Sequence, residues 1–240
     1  MKSLTMVAAL ESGRFTPETM IETSPGRIRV GPKVYPDPRN YGLISVTRVL
    51  QKSSQVGVTK IALDLGHEPI REVFHRFGIG QPPNSGFPGE SAGDLPNRAR
   101  WYATEKVSLA FGYGITATPL QLAHAYSVFA NGGVQQPVSL LALDGELPAG
   151  KRVISTDTAA QLLAMLHAVT GDEGTARKAR VPGYQVGGKT GTVHKVGPGG
   201  YEANKYVALF VGIAPIDNPR IVSVVVINDP KGALYGGGAV

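Results

Sequence analysis

A change of pattern near Pro182 limits the fold of this chain more than any other feature. Before it, apolar residues recur at helical spacing between Gly/Pro-rich breaks. After it come strand-like runs, Gln185 to Val193, Lys205 to Ala214 and Arg220 to Asn228. Gly197-Pro198-Gly199-Gly200 fits a hairpin connection, and Pro215 to Pro219 fits a tight turn. Such short turns favour antiparallel neighbours, because a parallel crossover needs a dozen residues or more. The chain reads as α+β. A mostly helical part, residues 1–181, precedes a sheet part, residues 182–240, with no repeat and no linker to divide them. The almost wholly apolar run Ile221 to Ile227 predicts a strand covered on both faces.

Within the helical part, Ser3 to Ser12 is helix-forming. Leu4, Val7, Ala8 and Leu10 can bury one face, and Gly13 is a stop. Residues 14–42 read as an extended, loop-rich excursion. Ile44 to Gln51 and Val56 to Leu65 predict helices, with Ser53-Ser54-Gln55 in the break. Pro69 to Phe77 is amphipathic through Ile70, Val73, Phe74 and Phe77. Residues 78–100 form a Pro/Gly loop. Thr118 and Pro119 open a helix that reaches Ala130, and Ser155 or Thr156 caps another that runs through Val169.

Composition narrows the chemistry. The net charge is +6, but the basic residues are scattered and the densest patch, Arg177-Lys178-Ala179-Arg180, is short. No nucleic-acid partner is expected from that distribution. The absence of cysteine excludes disulfides, thiolate metal sites and thiol nucleophiles. His67, His75, His124, His167 and His194 show no metal-ligand spacing, so neither metal nor cofactor is expected. No run is long enough to span a bilayer.

Gly187-Gly188-Lys189-Thr190-Gly191-Thr192 is the richest stretch chemically. Lys189 offers a cation for a carboxylate, and Thr190 and Thr192 offer hydroxyls. Gly191, lacking a side chain, leaves a strand edge that a ligand can approach. Three letters, K-T-G, are weak by themselves, and a glycine-relieved turn is the competing reading. Ser53-Ser54-Gln55 and the opening Met1-Lys2 tip the balance.

Lys189-Thr190-Gly191 together with Ser53-x-Gln55 resembles two of the three signature elements of penicillin-binding proteins and serine β-lactamases. The stretches LQKSSQVGVTKIAL, FGYGITATPLQLA, KTGTVHKVGPGGY and VVVINDPKG are similar to class B, division-specific transpeptidases of the FtsI type. The similarity runs over essentially the whole chain. It implies a helical subdomain packed on a mainly antiparallel five-stranded sheet, with a cleft between them. It also implies a peptidoglycan D,D-transpeptidase that acts in septal wall synthesis. The implied ligands are D-Ala-D-Ala peptide stems and β-lactams, and the implied partners are divisome proteins. The implied location is the bacterial inner membrane, with a periplasmic catalytic domain whose anchor is not in this chain.

The resemblance also assigns residues. Lys2 matches the lysine of Ser-x-x-Lys, so the nucleophilic serine would precede Met1. No other lysine has a serine three residues upstream. Ser3 follows Lys2 and diverges from it by about 100° around a helix, which rules it out as a substitute. Ser53 would relay a proton, Lys189 with Thr190, Gly191 and Thr192 would bind the substrate carboxylate, and Gln55 stands where the family has Asn. Tyr113 and Tyr235 would border the cleft. The resemblance therefore implies a domain truncated at both ends and inactive as it stands. Two competing readings are a same-fold D,D-carboxypeptidase or β-lactamase, and a non-enzymatic division scaffold.

Overall fold

The first helix runs through the centre of the protein. In the computed structural model, which describes residues 1–145, 148–197 and 200–231 (201, 203 and 204 by backbone alone), α1 spans Lys2–Glu11. Every residue from Ser3 to Leu10 is buried, not one face alone, because α2, α3, α4, α5 and α7, delimited below, surround it. Its polar members have partners. Ser3 Oγ lies 2.8 Å from Tyr126 Oη, and Thr5 Oγ1 donates to the Ala110 carbonyl at 2.8 Å. A buried hydroxyl left unpaired would cost about 1–3 kcal/mol.

The loop-rich excursion contains four short strands: β1 (Met20–Glu22), β2 (Arg27–Val30), β3 (Lys33–Pro36) and β4 (Leu43–Ser45). β1 pairs antiparallel with β4, and β2 with β3. Ile44, predicted to open a helix, lies in β4. The helix α2 (Val46–Lys52) starts after Ser45, whose Oγ accepts from Arg48 N at 3.2 Å. A serine N-cap outweighs the helical periodicity that continues upstream of it. Val30 and Tyr35 of the β2–β3 hairpin pack on Val107 of α5 (Ala103–Phe111), a helix that the sequence did not announce.

Helix α3 (Gln55–Leu65) approaches α2 closely, because a Cβ at Gly57 would lie 2.5 Å from Val49 Cγ2. Helix α4 (His67–Arg76) buries Ile70, Val73 and Phe74, as its spacing predicts. Helix α6 (Pro119–Ala130) has the expected cap and more. Thr118 Oγ1 accepts from Gln121 N at 3.1 Å, and Gln121 Oε1 accepts from Thr118 N at 2.8 Å. Two-residue strands β5 (Val134–Gln135) and β6 (Lys151–Arg152) pair ahead of α7 (Thr156–Thr170), which Ser155 caps.

The sheet after Pro182 has the order β7 (Gly187–Gly197), β8 (Gly200–Ala214) and β9 (Ile221–Asn228), antiparallel throughout. β7 lies against α7 because Gly187 has no side chain: a Cβ there would sit 3.0 Å from His167 N. The apolar run in β9 is not covered on both faces. Ile221, Val225 and Val226 are 64%, 41% and 42% exposed, and among the described residues β9 pairs with β8 alone. Packing on α6 covers one side of this strand. An unbroken apolar run records what a strand can bury, not what meets it.

Candidate active site

The helical part and the sheet present their most reactive side chains to one another. Lys2 opens α1, and its ammonium reaches across 51 residues of sequence to the break between α2 and α3. Lys2 Nζ donates to the Ser53 carbonyl at 2.7 Å and to Ser53 Oγ at 2.9 Å. It also lies 5.5 Å from the centroid of the Phe111 ring. Both Ser53 acceptors point the same way because the residue closes α2 in the left-handed conformation, φ 56° and ψ 33°. A non-glycine residue there costs about 1–2 kcal/mol.

The turn is held from beneath. Asp37, 8% exposed, accepts from Ser54 Oγ at 2.6 Å, from Gln55 N at 2.5 Å and from Val56 N at 3.2 Å. Ser54 Oγ accepts in turn from Gly57 N at 2.9 Å. The first amides of α3 are therefore all paired, with a carboxylate at the positive end of the helix dipole.

Lys189 enters from β7, opposite Val211 of β8, and is only 5% exposed. Its Nζ donates to the Thr190 carbonyl at 3.1 Å, with Thr190 Oγ1 at 3.5 Å. Thr190 Oγ1 lies 3.3 Å from Thr175 Oγ1. Loss of hydration lowers the pKa of Lys189 from its usual 10.5 to about 7, and the charge of Lys2 adds to the effect. Burial likewise lowers Lys2 to about 8, against the opposing pull of Asp37. Two amines titrating near neutrality can each exchange a proton at physiological pH. While protonated, they set two positive charges near one another, which favours an anion beside them.

The remaining positions are distributed as follows. Gln55 is the first residue of α3, partly buried, and among the described residues its side-chain amide pairs with nothing. The Cβ position of Gly191 is already filled by Leu209, whose Cγ would be 2.9 Å away, so packing alone suffices to select glycine there. Thr192 is partly buried at the next position of β7. Tyr113 follows Gly112, φ 91°, where a Cβ would lie 2.5 Å from Met1 Cγ. The end of α5 is thus pressed against the start of α1. Lys33 Nζ sits 5.4 Å from the Tyr113 centroid and 5.1 Å from that of Tyr35. Tyr235 lies outside the described residues.

Sequence reasoning missed Asp37, Phe111 and Thr175. Pro36-Asp37-Pro38 reads as an ordinary turn, and only tertiary packing brings it under Ser54.

A model of the penicillin-binding protein transpeptidase domain matches residues 1–240, and the chain belongs to that family. Within it, the chain is of the class B type represented by FtsI and PenA. It is 39% identical over 239 residues to the peptidoglycan D,D-transpeptidase FtsI of Escherichia coli K12, covering 100% of this chain and 40% of that protein. It is 38% identical over 240 residues to the probable peptidoglycan D,D-transpeptidase PenA of Neisseria flavescens, covering 100% of this chain and 59% of that one. The apo transpeptidase domain of Burkholderia pseudomallei penicillin-binding protein 3 superposes with a TM-score of 0.92 at 39% identity, over 99% of this chain and 72% of that one. The chain thus spans less than two thirds of the length of each of these two curated relatives. Among the described residues, no helix is long and apolar enough to cross a membrane.

Proposed function

We propose that this chain forms the cleft of a serine-type peptidoglycan D,D-transpeptidase that serves septal wall synthesis. The observation that carries the reading is the approach of Lys2 Nζ to Ser53 Oγ at 2.9 Å, with the buried Lys189 electrostatically coupled to the same ammonium. The nucleophile is a serine three residues before Lys2 in the longer protein, one helical turn away and so on the same face.

The steps follow from the groups present. A serine hydroxyl needs a base at neutral pH. A lysine titrating near 8 is neutral about one-tenth of the time at pH 7, so Lys2 can take the hydroxyl proton as the oxygen attacks the penultimate D-alanyl carbonyl. Ser53, bonded to the now protonated Lys2, passes a proton to the departing D-alanine nitrogen. The amine of a second stem then attacks the acyl-serine, loses its proton along the same path, and frees the serine. Lys189, with Thr190 and Thr192 beside it on β7, pairs with the terminal carboxylate of the substrate. Gln55 supplies amide groups to the substrate backbone, and Tyr113 borders the cleft. A β-lactam, carrying a carboxylate and a reactive carbonyl, acylates the same serine.

By the same reading the whole protein is anchored in the inner membrane and works in the periplasm among divisome partners. The match to named D,D-transpeptidases along the whole chain favours acyl transfer to an amine over hydrolysis. The test is labelling of the longer protein with a fluorescent penicillin. A covalent adduct on the serine preceding Lys2, lost in Lys2→Met without loss of the folded state, is expected. Undiminished labelling of Lys2→Met, or no labelling of the parent, overturns the proposal.

A further inference from the structure

We infer that Asp37 is a positioning residue of the cleft, which clamps the Ser53-to-Gln55 turn and places a negative charge beneath Lys2. This rests on the reading of Lys2 as the base. Among the described residues Asp37 is the one buried carboxylate, and three donors converge on it, all from the residues that follow Ser53. Its own backbone is fixed, since Asp37 N donates to the Gly26 carbonyl at 2.8 Å. Gly26 cannot easily change: its φ is 81°, and a Cβ there would come within 3.0 Å of the Asn40 backbone. The anchor extends to α5, because Tyr35, two residues before Asp37, donates to or accepts from Ser108 Oγ at 3.1 Å and packs on Phe111.

The clamp has two separable effects. Its hydrogen bonds hold Ser54 and Gln55, and with them the left-handed Ser53, whose carbonyl and hydroxyl receive the Lys2 ammonium. Its charge opposes the desolvation of Lys2 and keeps that amine more basic than burial alone would leave it. The other charged or titratable groups around this pair are Lys189 on β7, Arg39 and Tyr41. Tyr41, its pKa raised by burial and by Asp37, titrates above the working range. Without the clamp, Lys2 is neutral more often but faces a looser serine turn.

The experiment uses the longer protein, with the residues that precede Met1, and follows penicillin acylation against pH. Asp37→Asn keeps the shape and removes the charge. The acid limb of the profile should move to lower pH by roughly half a unit to one unit, while the plateau falls several-fold. Ser54→Ala removes one donor but leaves the charge, so its plateau should fall with the acid limb unmoved. A residue of structural importance only would lower the melting temperature in both variants and move neither limb. Asp37→Ser, smaller and also neutral, is read in the same way if Asp37→Asn does not fold. An acid limb unchanged in a folded, neutral variant overturns the inference while parental labelling leaves the wider reading intact. A parent that is not acylated at all sinks the wider reading instead.

Discussion

The ammonium of Lys2 lies 2.9 Å from Ser53 Oγ although 51 residues of chain separate the two. The contact depends on a helix start, a left-handed helix end and a buried carboxylate, contributed by three different segments. Displacing any of them displaces this contact.

The polypeptide of residues 1–240 contains no serine three residues ahead of a lysine. It should form no covalent adduct with a fluorescent penicillin, and extension upstream through the serine preceding Lys2 should restore labelling. Intact-mass spectrometry decides the matter: a stable acyl adduct on the 240-residue chain would point to a different nucleophile.

In the longer protein, Lys189→Ala should slow acylation about ten- to a hundredfold. A charge-assisted hydrogen bond to a carboxylate is worth roughly 1.5–3 kcal/mol, and each 1.4 kcal/mol is a factor of ten. Gln55→Asn should acylate at least as fast as the parent, because it offers the same amide with one rotor fewer. A parental rate in Lys189→Ala would remove the carboxylate-binding role.

Much of this architecture is legible in the residues. Thr118-Pro119 and Ser155 carry their caps in plain sight, and the strand-like runs and short turns after Pro182 locate the sheet. The motifs marked Lys2, Ser53 and Lys189, and the structure brings Lys2 onto Ser53 with Lys189 buried within range of its charge. Asp37 was not marked, because its function arises from a helix N-terminus that packs over it from residues far along the chain. Helix α5 was missed because its N-terminus carries no strong signal: Tyr102 is an unusual N-cap, and Glu105 completes the cap only once folded, accepting from Tyr102 N at 2.9 Å. In β9 the apolar content records a capacity for burial, and among the described residues α6 is the helix that uses it.

The lowered pKa of Lys189 predicts how stability varies with pH. The folded state releases this proton near pH 7, and the unfolded chain holds it until about 10.5. Between those values the unfolded state binds more protons, so the contribution of Lys189 to stability rises with pH across that window. Below pH 7 both states are protonated, and the full cost of burying the charge is felt. Lys189→Met removes this dependence. Urea midpoints at pH 7 and pH 9.5 should show the parent gaining on the variant as pH rises. A constant difference between the two would mean that Lys189 is better hydrated than its burial implies.

The edge of β9 gives the last prediction. Ile221, Val225 and Val226 are exposed on a strand that pairs on one side only among the described residues. Such an edge offers unpaired N–H and C=O groups beside apolar side chains, which invites another chain to add a strand. Apolar area removed from water in that encounter stabilises it by about 25 cal/mol per Å². The 240-residue polypeptide should therefore be oligomeric or poorly soluble, and the amides of β9 that point away from β8 should exchange fastest in the sheet. Val226→Lys, which sets a charge on this strand, should raise the monomer fraction in sedimentation velocity without lowering the melting temperature by more than a few degrees. A monodisperse parent with strong exchange protection along the whole of β9 would show that the edge is already covered.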